Sequence, residues 1–191
     1  GITSPRLDAE IILAHTVRKS RTYLHAHPNK LLEPRQLEIA NARLQLRYDR
    51  TPIAYIVGHK EFYGRRFRVT PATLIPRPES ETIIDLLKEL APSLSSQSMR
   101  LVDVGTGSGC LGITAKLELP QFEVTLIDTS RHALHIAAGN AKEYDAKVAI
   151  LQSDLLTTYP FRADVVIANL PYVDPEWERS PETSYEPEEA L

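Results

Sequence analysis

Residues 100–110 read RLVDVGTGSGC, an apolar run that leads directly into a loop with three glycines. The run predicts a buried strand at 100–104, and the apolar pattern that continues to about residue 119 predicts a helix after the loop. Glycines let the main chain turn sharply, and the first turn of the helix offers free N–H groups to an anion, either a pyrophosphate or the carboxylate of a methionine moiety. A structural turn is the alternative, but the strand–loop–helix context favours a ligand site. The predicted loop contacts are Gly105, Thr106, Gly107, Ser108 and Gly109.

Strand and helix patterns alternate on the C-terminal side of this loop. Residues 123–127, 147–151 and 163–168 predict strands, and residues 130–142 predict a helix. Such alternation is typical of a parallel sheet with helices on both faces, in which ligands bind at the carboxyl ends of the strands. The sequence therefore predicts an α/β fold with a Rossmann-like sheet.

Acidic residues follow two of these strands. A carboxylate at Asp128 can accept hydrogen bonds from both hydroxyls of a ribose, although Asp128 or Ser130 can also cap the next helix. Asp154 can accept a hydrogen bond from an adenine amino group and Leu155 can cover the ring, although an Asx turn explains this pair equally well. The combination of Asp128 with the glycine loop favours the interpretation that Asp128 binds a ribose.

The segment Asn169-Leu170-Pro171-Tyr172 follows the last predicted strand. An amide or amino nitrogen conjugated to a π system is a poor nucleophile, because its lone pair is delocalised. The side-chain oxygen of Asn169 and the main-chain carbonyl of Leu170 can accept its two N–H groups, so that the lone pair faces a methyl group. Pro171 favours an extended conformation at Leu170, and Tyr172 can pack on the planar group. An ordinary turn is the alternative, and the position at this edge of the sheet favours catalysis.

Bulk properties restrict the class of function. The chain has 191 residues, a net charge of -3 and a pI of about 6.1, which argues against a protein that binds nucleic acid mainly by phosphate neutralisation. Cys110 is the only cysteine, so an internal disulfide is excluded and a reducing, cytoplasmic location is expected. No apolar run is long enough for a membrane span. His132 and His135 lack an evident third ligand, so no metal site is predicted.

Three regions are expected along the chain: a helical N-terminal domain at 1–50, a hairpin with a connecting helix at 51–98, and part of a larger sheet domain at 99–191. In the first region, apolar residues recur at helical spacing, and Ser4-Pro5 is typical of a helix start. A second helix is predicted from Pro34 to Tyr48.

Short motifs occur along the chain in a fixed order. They are SPRLDAE at 4–10, TPIAYIVG at 51–58, EFYG at 61–64, LIPRPESE at 74–81, DVGTGSG at 103–109, NLPY at 169–172 and YEP at 185–187. In this order they resemble the HemK/PrmC family, the glutamine N(5)-methyltransferases of class I peptide release factors. The resemblance covers nearly the whole chain.

This resemblance implies a Rossmann-like class I methyltransferase fold that binds S-adenosylmethionine. The implied cofactor contacts are Gly105–Gly109, Asp128, Asp154, Leu155 and Asn169. Residues 169–172 are implied to hold the glutamine amide of a release factor, which the helical N-terminal domain helps to dock. Arg77 and Glu79 are implied to lie near the active site, without an assigned role.

Two features depart from the family pattern. The family usually has N-P-P-Y, and Leu170 replaces the first proline here. The main-chain carbonyl survives this change, but the turn loses rigidity. The form N-L-P-Y also resembles rRNA adenine dimethyltransferases, which keeps adenine of RNA or DNA as an alternative acceptor. The family's sheet has seven strands and this sequence predicts four, so we expect a truncated sheet.

A different class of enzyme also remains open. Gly107, Gly109 and Gly112 satisfy the pattern G-x-G-x-x-G, which is found in NAD-dependent oxidoreductases. That interpretation leaves the motif at 169–172 unexplained. A non-catalytic binding module is a further alternative.

Overall fold

The computed structural model describes residues 2–93, 99–171 and 180–190. The chain divides into two compact units: the first contains Gly1–Gly58 with Arg179–Tyr185, and the second contains His59–Glu178 with Glu186–Leu191. The first unit is helical, and the second contains both β-sheets. No helix within the described ranges is long and apolar enough to cross a membrane.

The first unit contains the helices α1 (Pro5–Val17), α2 (Arg21–Ala26), α3 (Pro34–Tyr48) and α4 (Ile53–Val57). The helix predicted from Pro34 to Tyr48 is confirmed at the same bounds. Ser4 takes the predicted N-cap position of α1, but its hydroxyl donates to Asp8 instead of accepting from the helix. Arg47 of α3 donates to Asp8 of α1 across 2.6 Å, so an ion pair joins these two packed helices.

The second unit begins with a β-hairpin of β1 (His59–Phe62) and β2 (Arg65–Arg68). The turn residues Tyr63-Gly64 have φ values of 50° and 71°, the positive values that type I′ hairpin turns require. Phe62 and Phe67 are fully buried. The hairpin predicted from the aromatic residues around a glycine is therefore confirmed, with its aromatic face turned inward.

Four parallel strands form the main sheet in the described part of this unit: β3 (Met99–Val104), β4 (Phe122–Asp128), β5 (Val148–Gln152) and β6 (Val165–Ala168). Their order is β5-β4-β3-β6. The loops that follow β3 and β6 therefore flank the point at which the strand order reverses, where ligands of open α/β sheets bind. The sequence predicted all four strands, with ends that differ from the structure by one or two residues.

One face of the sheet shares a core with α5 (Glu81–Leu90), α6 (Cys110–Glu118) and α7 (Arg131–Glu143). Alternate strand residues such as Leu101 belong to this core. The opposite face carries Val102, Val104 and Ile127. Within the described residues, the chain between β5 and β6 forms turns instead of a helix, since Pro160 and neighbouring threonines oppose one. The sequence pattern predicted helices on both faces, whereas the described helices of this unit cover one.

Candidate active site

A cavity of about 590 Å³ lies at the carboxyl ends of the parallel strands, within the second unit. Its wall contains nearly all the described residues that the sequence assigned to the site. These are Gly105, Thr106, Gly107, Ser108, Asp128, Asp154, Leu155, Asn169, Leu170 and Pro171. Gly109 is not part of the wall, and Tyr172 lies outside the described residues.

The glycine loop adopts a backbone conformation that side chains oppose. Gly105, Gly107 and Gly109 have φ values of 69°, 53° and 81°, all in the left-handed region. A β-carbon on Gly109 would lie 2.7 Å from Ile113 and 3.1 Å from Ala137, so this glycine lets α6 begin close to α7. Gly105 and Gly107 line the cavity, where bare main chain forms the wall.

Asp103, near the end of β3, binds the loop and the helix that follows it. Its Oδ2 accepts hydrogen bonds from the Thr106 hydroxyl at 2.6 Å and from the Gly112 N–H at 2.9 Å. Its Oδ1 is buried without a hydrogen-bond partner among the described residues. Burial raises the pKa of Asp103 from 3.8 to about 6, against the lowering effect of the two hydrogen bonds. Asp103 therefore anchors the loop, and its protonation changes within a mildly acidic range.

Asp128 connects the end of β4 to the glycine loop. Its Oδ2 accepts a hydrogen bond from the Gly107 N–H at 2.9 Å, and its Oδ1 accepts one from the Ser130 N–H at 2.9 Å. Ser130 is the N-cap of α7, since its hydroxyl accepts from the Ala133 N–H at 3.3 Å. Each carboxylate oxygen of Asp128 retains a lone pair, and the residue lines the cavity, so it can still accept hydrogen bonds from a ligand.

Asp154 and Leu155 follow β5 at the cavity wall. A turn does form here, and the main-chain carbonyl of Asp154 closes it by accepting from the Thr157 N–H at 3.1 Å and hydroxyl at 2.7 Å. The exposed carboxylate of Asp154 can accept from a ligand. Leu155 has a φ of 48° and is 52% exposed, an unfavourable state for a branched apolar residue. Strained positions of this kind cluster at ligand sites, and an apolar side chain held there can cover a planar ring.

The motif that begins at Asn169 lies next to the glycine loop. Val104 of β3 pairs with Ala168 of β6, so Gly105 and Asn169 each follow directly from a paired residue. Asn169, Leu170 and Pro171 all line the cavity. Parallel pairing therefore places Asn169 and Leu170, two residues that carry possible acceptors, on the wall that the loop also forms.

The segment between the hairpin and α5 also forms part of the wall, and the sequence placed only Arg77 of this part near the active site. Residues 71–74, Pro76 and Arg77 line the cavity. Glu186 is buried and accepts hydrogen bonds from the Ile75 N–H at 3.1 Å and from the Arg77 guanidinium. The sequence did contain a signal for the contact between Arg77 and Glu186. The family motifs LIPRPESE and YEP contain these two oppositely charged residues. Glu79, by contrast, is exposed and does not line the cavity.

Cys110 and His132 also line the cavity. The thiol of Cys110 is buried, and burial raises its pKa to about 12, so it remains protonated and acts as a small packing group. His132 is exposed on the first turn of α7, and His135 is exposed on the same helix.

The groups around the cavity fit an adenosine that carries an amino-acid moiety. Carboxylates at Asp128 and Asp154 suit hydroxyl and amino donors, the loop at the start of α6 suits an anion, and Leu155 provides apolar cover. A volume of about 590 Å³ is typical of a site for a ligand of this size. Fold and site together define a Rossmann-like α/β domain with a cavity at its switch point, and the residues around this cavity suit a nucleoside.

Comparison with known proteins defines the family. The family described as Methyltransferase small domain matches residues 81–181, and the one described as PrmC N-terminal domain matches residues 1–58. The release factor glutamine methyltransferase of Koribacter versatilis is 42% identical over 172 residues, which cover 89% of this chain and 61% of that relative. The corresponding Coxiella burnetii protein is 35% identical over 190 residues, 98% of this chain and 68% of that relative. The chain belongs to the release factor glutamine methyltransferase family, as its motifs predicted.

The chain spans 61% and 68% of the length of these two relatives. Among solved structures, the hMettl16 catalytic domain in complex with a 3'UTR hairpin is similar, with a TM-score of 0.53 at 14% identity. The match covers 83% of this chain and 57% of that one. This likeness confirms the predicted Rossmann-like α/β fold.

Proposed function

We propose that the whole protein transfers a methyl group from S-adenosylmethionine to the side-chain amide nitrogen of a glutamine in class I peptide release factors. The observation that carries this proposal is the placement of Asn169 beside Gly105, directly after the paired residues Ala168 and Val104, on one cavity wall with Asp128. A motif suited to a planar NH2 group thus borders the same space as a loop suited to the cofactor. The names of the relatives support the acceptor.

The proposed cofactor site consists of the glycine loop, Asp128, Asp154, Leu155 and Asn169. S-adenosylmethionine, when bound, supplies an electrophilic methyl group on a sulfonium sulfur. Main-chain N–H groups of the first turn of α6 bind a carboxylate, and Asp128 accepts hydrogen bonds from ribose hydroxyls. Asp154 accepts from the adenine amino group, and Leu155 covers the ring. Gly109 contributes by permitting the turn into α6.

The proposed acceptor site orients an amide nitrogen with two hydrogen-bond acceptors. The Asn169 side-chain oxygen and the Leu170 carbonyl accept the two N–H groups, which directs the nitrogen lone pair toward the methyl group. Pro171 restricts Leu170 to an extended backbone, and Tyr172 packs on the amide plane. The proton leaves after the nitrogen has become cationic, so the transfer needs no general base beforehand. Alignment of this kind can lower a barrier by about 7–11 kcal/mol.

The protein substrate is the release factor, and we assign part of its docking to the helical first unit. A net charge of -3 favours a protein partner over nucleic acid held by phosphate contacts. We also propose a cytoplasmic location. A single cysteine that is buried and protonated is compatible with a reducing compartment.

Isothermal titration calorimetry of the chain with S-adenosylhomocysteine and with NAD tests the cofactor. We expect binding of S-adenosylhomocysteine and none of NAD, and the reverse result would overturn the proposal in favour of an oxidoreductase. Transfer of a labelled methyl group, measured with the whole protein, tests the acceptor. We expect label on a release factor glutamine, and label on adenine of RNA or DNA in its place would refute the assignment.

A further inference from the structure

Asn140, on helix α7, is a buried polar residue whose role the sequence did not reveal. It is 0% exposed, and its carboxamide makes three hydrogen bonds within the described residues, all of them to main-chain groups. Asparagine is a poor residue for the interior of a helix, because its side chain competes for backbone hydrogen bonds. Here the side chain is used to bind segments outside its own helix.

The first of these segments is the end of β2. Oδ1 of Asn140 accepts from the Arg68 N–H at 2.9 Å, and Nδ2 donates to the Arg68 carbonyl at 3.0 Å. Nδ2 also donates to the Ser108 carbonyl at 2.8 Å. These partners fix the orientation of the carboxamide, because exchanging its oxygen and nitrogen would turn an acceptor toward two carbonyls.

The bond to Ser108 holds one peptide plane of the glycine loop. The Ser108 carbonyl and the Gly109 N–H belong to the same planar unit and point in opposite directions. That N–H donates to the Thr106 carbonyl at 2.8 Å. The plane is therefore held on one side by the loop itself and on the other side by Asn140. Ser108 and Gly107, which lie next to this plane, line the cavity.

The bonds to Arg68 hold a second part of the wall. Arg68 is the last residue of β2, and residues 71–74, which follow it closely, line the cavity. Asn140 itself does not line the cavity. It therefore acts through its neighbours, as a link between the exit of the hairpin and the glycine loop.

We infer that Asn140 is a positioning residue, which sets the separation of these two walls and so controls affinity for S-adenosylmethionine. The inference rests on the proposed function, because it assigns the cavity to that cofactor. It goes beyond the proposed contacts, since the hydrogen bonds of the Asn140 side chain go to main-chain groups that belong to or precede the cavity wall.

Calorimetric titration with S-adenosylhomocysteine tests this role in Asn140→Asp and Asn140→Ala, with Leu87→Ala as a control. The aspartate keeps the acceptor for the Arg68 N–H but turns a carboxylate oxygen toward the carbonyls of Arg68 and Ser108. Leu87 is buried in the hydrophobic core that α5 and α7 share, and it does not line the cavity. Its truncation therefore lowers the stability of the fold without changing the hydrogen bonds of the glycine loop. The titrations are made at a temperature where all variants are folded. We expect the Kd to rise about tenfold in both Asn140 variants, which is the change in Kd that corresponds to the free energy of about one hydrogen bond. We expect a change below about twofold in Leu87→Ala.

An unchanged Kd in both Asn140 variants would overturn the inference, as would an equal rise in Leu87→Ala. A wild-type chain that does not bind S-adenosylhomocysteine would instead overturn the proposed function. A measurement on the wild-type chain covers the case in which the variants do not fold. The side-chain NH2 resonances of Asn140 in a ¹⁵N NMR spectrum should shift when S-adenosylhomocysteine is added, and the absence of a shift in a chain that binds it contradicts a positioning role.

Discussion

The side chain of Leu170 packs against Gly105, since a β-carbon built on Gly105 would lie 3.1 Å from Cδ2 of Leu170. This contact joins the segment after β6 to the loop after β3. The related family motif has proline where this chain has Leu170. We expect the packing of this leucine on Gly105 to supply part of the rigidity that the proline ring supplies in the family motif.

Truncation of this contact should lower turnover. Leu170→Ala keeps the main-chain carbonyl but removes the packing on Gly105, so we expect turnover in the whole protein to fall roughly two- to fivefold, which corresponds to about 0.4–1 kcal/mol of activation free energy. Leu170→Pro keeps the carbonyl and fixes φ, so turnover should match or exceed that of the wild type. Steady-state methyl transfer to a release factor measures both variants, and an alanine variant as fast as the wild type would show that the contact is irrelevant.

Loss of the Asn169 carboxamide should slow the methyl-transfer step more than it weakens cofactor binding. Asn169→Ala removes one of the two acceptors that we propose to orient the amide nitrogen, and we expect turnover to fall on the order of 100-fold, as for other oriented polar groups in active sites. The measurement is kcat for methyl transfer by the whole protein at saturating cofactor. A fall of less than about threefold is incompatible with the proposed role.

Asp128→Asn should weaken cofactor binding. Both carboxylate oxygens of Asp128 accept main-chain hydrogen bonds, from Gly107 and Ser130. Asparagine has only one oxygen, and its NH2 group cannot accept, so one of these two hydrogen bonds is lost. We expect the Kd for S-adenosylhomocysteine to rise at least about tenfold. Ser20→Ala is the matched control, because it removes the N-cap of α2, which costs about 1 kcal/mol of stability, and leaves the cavity intact. Equal Kd values for the two variants would refute the assignment of Asp128.

The buried carboxyl group of Asp103 should make stability fall as pH rises through the mildly acidic range. Its pKa is raised from 3.8 to about 6 in the folded chain, so the folded state binds the proton more tightly. The stabilisation from this proton is complete below about pH 3.8 and is lost as pH rises past about 6. The shift corresponds to roughly 3 kcal/mol.

Asp103→Asn should abolish this dependence, because the amide oxygen keeps the bonds from Thr106 and Gly112 without a titratable proton. Urea unfolding of both proteins from about pH 4 to about pH 7 gives the two stability profiles. We expect the stability of the wild type relative to Asp103→Asn to decrease across this interval. Parallel profiles would mean that Asp103 does not contribute in this way.

The local sequence was sufficient to predict the strands and the glycine loop and to recognise the family motifs. Glycines were predicted where φ is positive at Gly105, Gly107 and Gly109, and the strands differ from prediction by one or two residues at their ends. These features depend on backbone preferences and on hydrophobic period, which are properties of neighbouring residues. The last strand residue depends instead on pairing with another strand, so the ends were less accurate.

Contacts between distant segments required the folded chain. Glu186 meets Ile75 across 111 residues of sequence, and Asn140 meets Ser108 across 32. No local pattern distinguishes Asn140 from the other polar residues of its helix, because its partners come from the hairpin and the glycine loop. The pairing of β3 with β6, which brings Asn169 beside Gly105, is likewise non-local. Such pairings are selected by burial of the whole sheet, and a short stretch of sequence does not contain that information.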